Sequence, residues 1–275
     1  TDPTIMRKYI AFAIAAALSA CGGDSRITTP PPPPPPTALL KEINIPLLPS
    51  PFYKFEYDGN GKVTTVSFAS GFRIYTAVYD GNRLVELRND AVGNKDRVQY
   101  VYDDAGRVSN VNYIDADGVT FTRISLGYDG AQLVLLKRER ILDNAFVLDK
   151  IFSMIYDANG NLLELGEHFP AVPGFQTEAT FVDLFENYDD KINVDAFSLL
   201  HDEFFDNLVL LPGVVLQKGN PTRVIHLGTG DNYSIDYTYT YDAGNKPLTK
   251  LGDLTYTNAP KAGQKLQLRS DFSYF

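Results

Sequence analysis

One phrase recurs along the chain and limits what it can fold into: Tyr-Asp followed by a turn of small residues. It reads Tyr57-Asp58-Gly59-Asn60-Gly61, Tyr79-Asp80-Gly81-Asn82 and Tyr102-Asp103-Asp104-Ala105-Gly106. It returns as Tyr128-Asp129-Gly130, Tyr156-Asp157-Ala158-Asn159-Gly160 and Tyr241-Asp242-Ala243-Gly244-Asn245, with a weaker copy at Tyr188-Asp189-Asp190. Asp and Asn bond their own backbone and tolerate the left-handed region, which Gly enters without steric cost. Tyr suits a half-buried strand, because its ring packs while its hydroxyl finds a polar partner. Each copy therefore predicts strand, tight turn, strand. The first five copies start 22, 23, 26 and 28 residues apart, about one hairpin per repeat.

Between these turns the chain reads as consecutive strands from about Leu39 to Leu165. They include Val63 to Phe68, Phe72 to Tyr79, Arg97 to Tyr102, Arg107 to Tyr113, Gln132 to Leu142 and Phe146 to Tyr156. Consecutive hairpins build an antiparallel meander, and a long meander twists and curls. The predicted fold is all-β: a strongly curved sheet or an open, partly closed barrel. Tyr, Thr, Asn and Val alternate so irregularly that core and solvent faces stay unassigned. The repeat is expected to break between Glu167 and Arg223. Within that break, Phe197, Leu200, His201, Phe204 and Phe205 recur at steps of three and four, which predicts a short helical insertion near 194–207. This stretch is expected to cover an open end or the concave face, and Asp190 to Asn220 is the expected contact surface. Strands resume from Thr222 to His226 and run to Lys265 to Tyr274.

Ahead of the β-domain, residues 1–5 form an upstream extension before Met6. Residues 1–20 read as a signal peptide, with basic Met6-Arg7-Lys8 and a short apolar run from Tyr9 to Leu18. Leu18-Ser19-Ala20-Cys21 is a lipobox, so Cys21 is the expected lipidation site and the mature N-terminus. Residues 21–38 are a tether containing the unbroken proline run Pro30 to Pro36. In polyproline II that run holds the single β-domain, residues 39–275, roughly 20 Å farther from the lipid.

Cleavage before Cys21 leaves 23 bases and 33 acids, a charge of −10, which argues against nucleic acid as a partner. Cys21 is the sole cysteine, so no internal disulfide can form. The fold must stand on its apolar residues, 44% of the chain with 17 Tyr and 17 Phe. Chemistry-bearing motifs are few. The histidines are His168, His201 and His226, with no metal-ligand spacing among them. His201-Asp202-Glu203 reads as a solvated edge. Asp157, Asn159 and Asn161 mimic a calcium loop, but Gly160 stands fourth rather than sixth and His168 stands twelfth. They read as a turn. No cofactor motif, nucleophile elbow or phosphate loop is present.

The Tyr-Asp-Ala-Asn-Gly-Asn phrase followed by an apolar strand resembles the YD repeats of RHS and teneurin-type proteins. The lipobox, the Tyr-Asp hairpins and the late Asp190-Lys191-Ile192-Asn193 and Gly219-Asn220-Pro221-Thr222-Arg223-Val224 segments are together similar to secreted Bacteroidota-type lipoproteins of an unknown-function family with a porin-like fold. That likeness covers most of residues 40 to 275 and supplies no catalytic residues. Gly22 rather than Asp after Cys21 points to the outer membrane, where the anchor holds the chain, with a glycan or an envelope protein as possible partner. The expected function is a non-catalytic binding or structural module. A hydrolase acting on glycan or peptide is the alternative, because paired carboxylates meet in space rather than in sequence. A membrane-spanning barrel is disfavoured by Ser273, Asp271, Arg269 and Gln267, the polar alternate positions of the last strand.

Overall fold

The computed structural model describes residues 39–89, 95–194, 208 and 210–275. The signal peptide, Cys21, the proline tether and the predicted helix at 195–207 lie outside the described residues. Among the described residues there is no helix, and Val194, the first residue of that prediction, is not helical.

Sixteen strands close into one antiparallel barrel. The first half comprises β1 (Leu40–Asn44), β2 (Tyr53–Tyr57), β3 (Val63–Phe68), β4 (Arg73–Asp80), β5 (Arg83–Asn89), β6 (Arg97–Tyr102), β7 (Val108–Ile114) and β8 (Thr120–Asp129). The second comprises β9 (Gln132–Leu142), β10 (Ala145–Tyr156), β11 (Leu162–Phe169), β12 (Ala179–Tyr188), β13 (Pro221–Gly228), β14 (Tyr233–Tyr241), β15 (Pro247–Tyr256) and β16 (Lys265–Tyr274). Each strand pairs with its sequence neighbour, and β1 pairs with β16 to close the ring. The meander is as expected, and four residue pairs between β1 and β16 close it into a ring. The hairpin repeat also continues past Glu167 through β11 and β12, so the interruption is confined to residues 189–220.

All Tyr-Asp turns fall at one end of the barrel, since each links an even strand to the next odd one. In the turns at Asp58, Asp103, Asp157, Asp189 and Asp242 the carboxylate caps the turn as expected: Asp157 Oδ1 accepts the Asn159 and Asn161 N–H groups, both at 2.8 Å. Gly106 and Gly160 sit at φ +78° and +85°, where a side chain would strain the backbone. The tyrosines form a ring around this end. Tyr57, Tyr79, Tyr102, Tyr128, Tyr156, Tyr188, Tyr239 and Tyr274 each donate their hydroxyl to a backbone carbonyl at the start of the preceding odd strand, at 2.5–3.0 Å. Each bond ties a hairpin to itself across two strands.

A bulge accompanies each of six of these hairpins. Thr64, Val85, Ser109, Val134, Leu163 and Leu248 are extra residues on the odd strand, opposite the step into the Tyr. One bulge flips the alternation of everything after it. It also leaves apolar residues such as Leu163 and Leu248 exposed.

The lumen is packed. Phe55, Val66, Leu87, Val111, Ile124, Leu136 and Phe152 point inward and are at most 1% exposed. Burial of each such side chain contributes about 1.5–3 kcal/mol. The 189–220 connection supplies the plug at the turn end. Leu208, Leu210, Leu211 and Leu216 are buried among the strand residues, Tyr100 donates to the Leu210 carbonyl at 2.7 Å, and Leu162 N–H bonds the Leu216 carbonyl at 3.0 Å. The expectation that this stretch covers an open end holds for its described part. Within the stretch expected as a contact surface, Asp190 to Asn220, the described residues divide: Leu208, Leu216, Gln217 and Asn220 are buried, whereas Asp190, Val215 and Lys218 are exposed.

Candidate functional site

The inward positions change character toward the end away from the Tyr-Asp turns. On β9 the inward row Leu133, Leu136 continues as Arg138 and Arg140. On β10 it runs Asp149, Lys150, Phe152; on β11 Glu167 and Phe169; on β12 Phe181 and Asp183; on β13 His226; on β14 Tyr233. Six neighbouring strands thus line one arc of the open end with ionisable groups. The rest of that end is lined by Tyr53, Phe68, Tyr75, Val98, Tyr113 and Leu254.

Asp149 is the centre of the arc. It is the extra residue of a bulge between Leu148 and Lys150, which turns its carboxylate inward, where it is fully buried. Arg138, itself 2% exposed, grips that carboxylate with two nitrogens, Nε at 2.9 Å and Nη2 alongside. Arg140 Nε adds a second cation at 3.4 Å. The loop between β11 and β12 folds over the group: Gln176 Nε2 donates to the Asp149 carbonyl at 2.8 Å and to the Pro170 carbonyl at 2.9 Å. Lys150 and Glu167 are also buried, and the Lys150 ammonium lies 5.5 Å from the centre of the Phe169 ring. Ions enter a low-dielectric interior only when paired and hydrogen-bonded, and here Asp149 is matched by two arginines.

A second part of the arc is aromatic. His226 Nδ1 lies 2.7 Å from Asp183 Oδ1. The imidazole is stacked between Phe181, at 5.5 Å and 24°, and Tyr233, at 4.6 Å and 11°. Phe169 meets Phe181 edge-on at 5.7 Å, and Tyr256 meets Tyr233 edge-on at 6.1 Å. Burial pushes the Tyr233 phenol well above its usual range, and the Asp183 carboxylate beside it adds to that. Chemically the arc offers carboxylates, guanidinium groups, one imidazole and aromatic rings on a rigid wall.

Of the residues singled out from sequence, His226 enters this arc. His168 points outward, 3.2 Å from Thr180 Oγ1 and 3.9 Å from Glu178. His201, Asp202, Glu203 and Cys21 lie outside the described residues. Asp157, Asn159 and Asn161 form a hydrogen-bonded turn, and Asn161 Oδ1 accepts the Lys218 and Gly219 N–H groups at 2.9 and 3.1 Å. Among the described residues no group of three or more His, Cys, Asp or Glu is placed to hold a metal ion. Sequence reading missed Arg138, Asp149, Lys150, Glu167 and Asp183. The signal was present in Lys137-Arg138-Glu139-Arg140, where charge sits on both faces of a strand.

No family model matches the chain, and no curated protein sequence matches it. Solved structures do. A porin-like protein from Bacteroides vulgatus superposes with a TM-score of 0.58 at 16% identity, over 86% of this chain and 98% of that one. A porin-like protein from Bacteroides uniformis superposes at 0.54 and 13% identity, over 81% and 89%. The fold is that of these porin-like barrels. In the present chain it carries an apolar lumen, a plug at the turn end and a charged and aromatic arc at the other.

Proposed function

We propose that this chain is a lipid-anchored protein of the bacterial outer membrane, a non-catalytic binding or structural module whose barrel stands in water beside the bilayer. The observation that carries the reading is the direction of the apolar face. A transmembrane barrel turns an apolar band outward and keeps a polar lumen. Here the lumen holds Phe55, Leu87, Ile124 and Phe152, and the outer face carries ion pairs. Examples are Arg123–Glu139 at 2.5 Å, Lys54–Glu56 at 3.1 Å, Arg223–Asp236 at 3.0 Å and Arg269–Asp271 at 2.8 Å. Height argues the same way. On one side of the ring β1 and β2 have five residues each and β3 and β6 six, below the ~9–11 that a membrane-crossing strand needs, whereas β8, β9, β10, β12, β15 and β16 have ten to twelve.

Both ends of the β-domain support the tethered geometry. Leu40 enters β1 beside Tyr274, and the Phe275 N–H bonds the Leu39 carbonyl at 3.1 Å, so entry and exit share the plugged turn end. A lipid on Cys21 would tether the chain through Leu39, and the charged and aromatic arc lies at the opposite end of the barrel, open to a glycan or an envelope protein. Asp149 and Asp183 are both engaged within the wall, Asp149 by Arg138 and Arg140 and Asp183 by His226.

The test is fractionation of cells carrying Cys21→Ser. The variant is expected in the soluble envelope fraction, folded without detergent, and silent in planar-bilayer conductance. Retention in the membrane overturns the anchor, and single-channel conductance overturns the water-borne barrel. Turnover of a glycan or peptide substrate that is lost in Asp183→Asn overturns the non-catalytic reading.

A further inference from the structure

The barrel wall is uneven, and the unevenness leaves one strand edge open. β16 runs from Lys265 to Tyr274, but β1 pairs only with its last part, from Asp271 to Tyr274. Beyond Asn44 the chain turns away through a loop to Tyr53, so residues 265–270 have a neighbour on the β15 side alone. The backbone alternation fixes which groups face the gap. Phe275 N–H bonds toward β1, at Leu39, whereas the Gln264 carbonyl accepts from Tyr256 at the β15 side. Odd positions of β16 therefore point toward the gap. The N–H and C=O groups of Lys265, Gln267 and Arg269 have no partner there among the described residues.

The side chains around the gap are exposed, although Arg269 pairs with Asp271 on its own strand at 2.8 Å and Gln267 Nε2 donates to Asp253 at 3.3 Å. Residues 265–269 are exposed on both faces. Leu266 and Leu268 pair with Leu254 and Gly252 on the lumen side, yet are 52% and 39% exposed. The loop at the foot of the gap adds Leu47, fully exposed, and Leu48, 46% exposed. The outward row is Lys265, Gln267 and Arg269. A bare, straight strand edge is a template for another strand, and proteins ordinarily shield it.

We propose that the β16 edge from Lys265 to Ser270 is a docking site for an extended segment of a partner protein, added as a further strand. The occupant follows from the edge. Alternating donors and acceptors match an extended polypeptide backbone. Leu266, Leu268 and the foot of the gap call for apolar residues at alternate positions of the segment. Lys265 on the outer face calls for an acidic or neutral residue beside it, while Arg269 already holds Asp271. A second copy of this chain fits less well. The register that sets Leu266 against Leu268 of another β16 also sets Lys265 against Arg269 at both ends, and like charges directly opposite repel. The inference supplies a partner class for the binding module proposed above, but its test does not involve the lipid or the cell.

The experiment is amide hydrogen exchange by NMR on the full mature chain bearing Cys21→Ser. The probe is a short capped peptide alternating valine with glutamate, and the control is the same peptide N-methylated along one edge. In the free protein the Gln267 and Arg269 amides should exchange fast while those of Leu266 and Leu268 are protected. At about 1 mM probe, a level that detects even weak binding, exchange at Gln267 and Arg269 should slow by roughly tenfold or more. The control should leave it unchanged. Gln267→Pro removes an N–H that faces the gap, a position where an edge strand tolerates proline, together with one exposed side-chain bond to Asp253. It should keep the parent melting temperature and abolish the slowing. Protected Gln267 and Arg269 amides in the free protein, no slowing by the probe, or slowing that survives Gln267→Pro each overturn the proposal. Protection that rises with protein concentration alone assigns the edge to a second copy and overturns it too.

Discussion

Replacing Arg138 by Met removes one partner of the most buried ion pair in the barrel. Arg138 is 2% exposed and Asp149 is fully buried, so the variant strands a carboxylate in the wall. Breaking a buried pair in this way costs about 3–5 kcal/mol, because the remaining charge keeps its desolvation penalty and loses its compensation. Arg140 moderates the loss. Its Nε already lies 3.4 Å from Asp149 Oδ2, and one third of its side chain reaches solvent. The lower end, about 3 kcal/mol, is therefore expected, which for a domain of this size lowers the melting temperature by roughly 6–12 °C. Asp149→Leu should also destabilise the barrel, because Arg138 loses the carboxylate that its Nε and Nη2 hold. The double variant Arg138→Met, Asp149→Leu strands neither and should lie within about 1 kcal/mol of the parent, since apolar replacements of a buried pair are often neutral or better. Urea denaturation followed by circular dichroism on the four proteins closes the cycle. If Arg138→Met alone stays within about 1 kcal/mol of the parent, or the double variant is as unstable as the two singles summed, the pair is not the linked unit described here.

Alkali should unfold the barrel through its tyrosine ring. Burial pushes Tyr57, Tyr102 and Tyr128 from 10 up to about 12, and Tyr156 and Tyr188 move in the same direction. A raised phenol pKa means stability that is fully present below pH 10 and is lost as pH rises through the folded value. Stability measured against pH should fall in that window, less steeply in Tyr156→Phe, and a flat profile would refute the ring's burial. At the acid end, backbone N–H groups hold the carboxyls of Asp58, Asp157 and Asp242 below their usual 3.8. Their contribution is present above that pH and is lost as pH falls through the depressed values, so Asp157→Asn should keep the turn and flatten the acid limb. Gly160→Val should cost about 1–3 kcal/mol in thermal unfolding, chiefly from φ +85°, since the Lys218 ammonium 2.9 Å from the added Cβ can swing away. An unchanged melting temperature would count against the turn.

The Tyr-Asp phrase made the hairpins, their turn chemistry and their order legible before any coordinates, because the signal is local. Facing was not legible, and the reason is physical. Thr64, Val85, Ser109, Val134, Leu163 and Leu248 each insert one residue after the turn. A strict period of two, counted through any of them, assigns every later side chain to the wrong face. Read with the bulge in place, β9 separates into inward Leu133, Leu136, Arg138, Arg140 and outward Leu135, Lys137, Glu139. The arc around Asp149 was hidden for the same reason, compounded by a second bulge at Asp149 itself. Closure was hidden because it depends on four residue pairs between β1 and β16, separated by nearly the whole chain. The polar alternate positions of the last strand were read correctly: Gln267, Arg269, Asp271 and Ser273 form its outward row, opposite in facing to Leu266, Leu268 and Phe272.

Sixteen strands pose a problem that fewer would not. Barrel diameter grows with strand number, and at this size an unfilled cylinder is an aqueous channel. A barrel of this size that keeps its apolar face inward must find filler. Three devices supply it here. The Tyr ring sends eight long side chains around the turn end, each fixed by a hydroxyl bond to a carbonyl, so the rings pack without stranding a polar atom. The 189–220 connection adds Leu208, Leu210, Leu211 and Leu216, which no strand could contribute. Its two feet are pinned to turns, at Asn161 through Lys218 and Gly219, and at Asp189 through the Asn220 N–H at 2.9 Å. At the other end the long side chains of Arg138, Arg140, Lys150 and Glu167 occupy volume that apolar residues fill elsewhere. This accounts for one long connection in an otherwise regular meander, and for its place: it departs from β12 after Tyr188, where the ring would otherwise surround a hole. A chain with this topology but without that insertion should keep the hairpins and lose the apolar packing at the turn end.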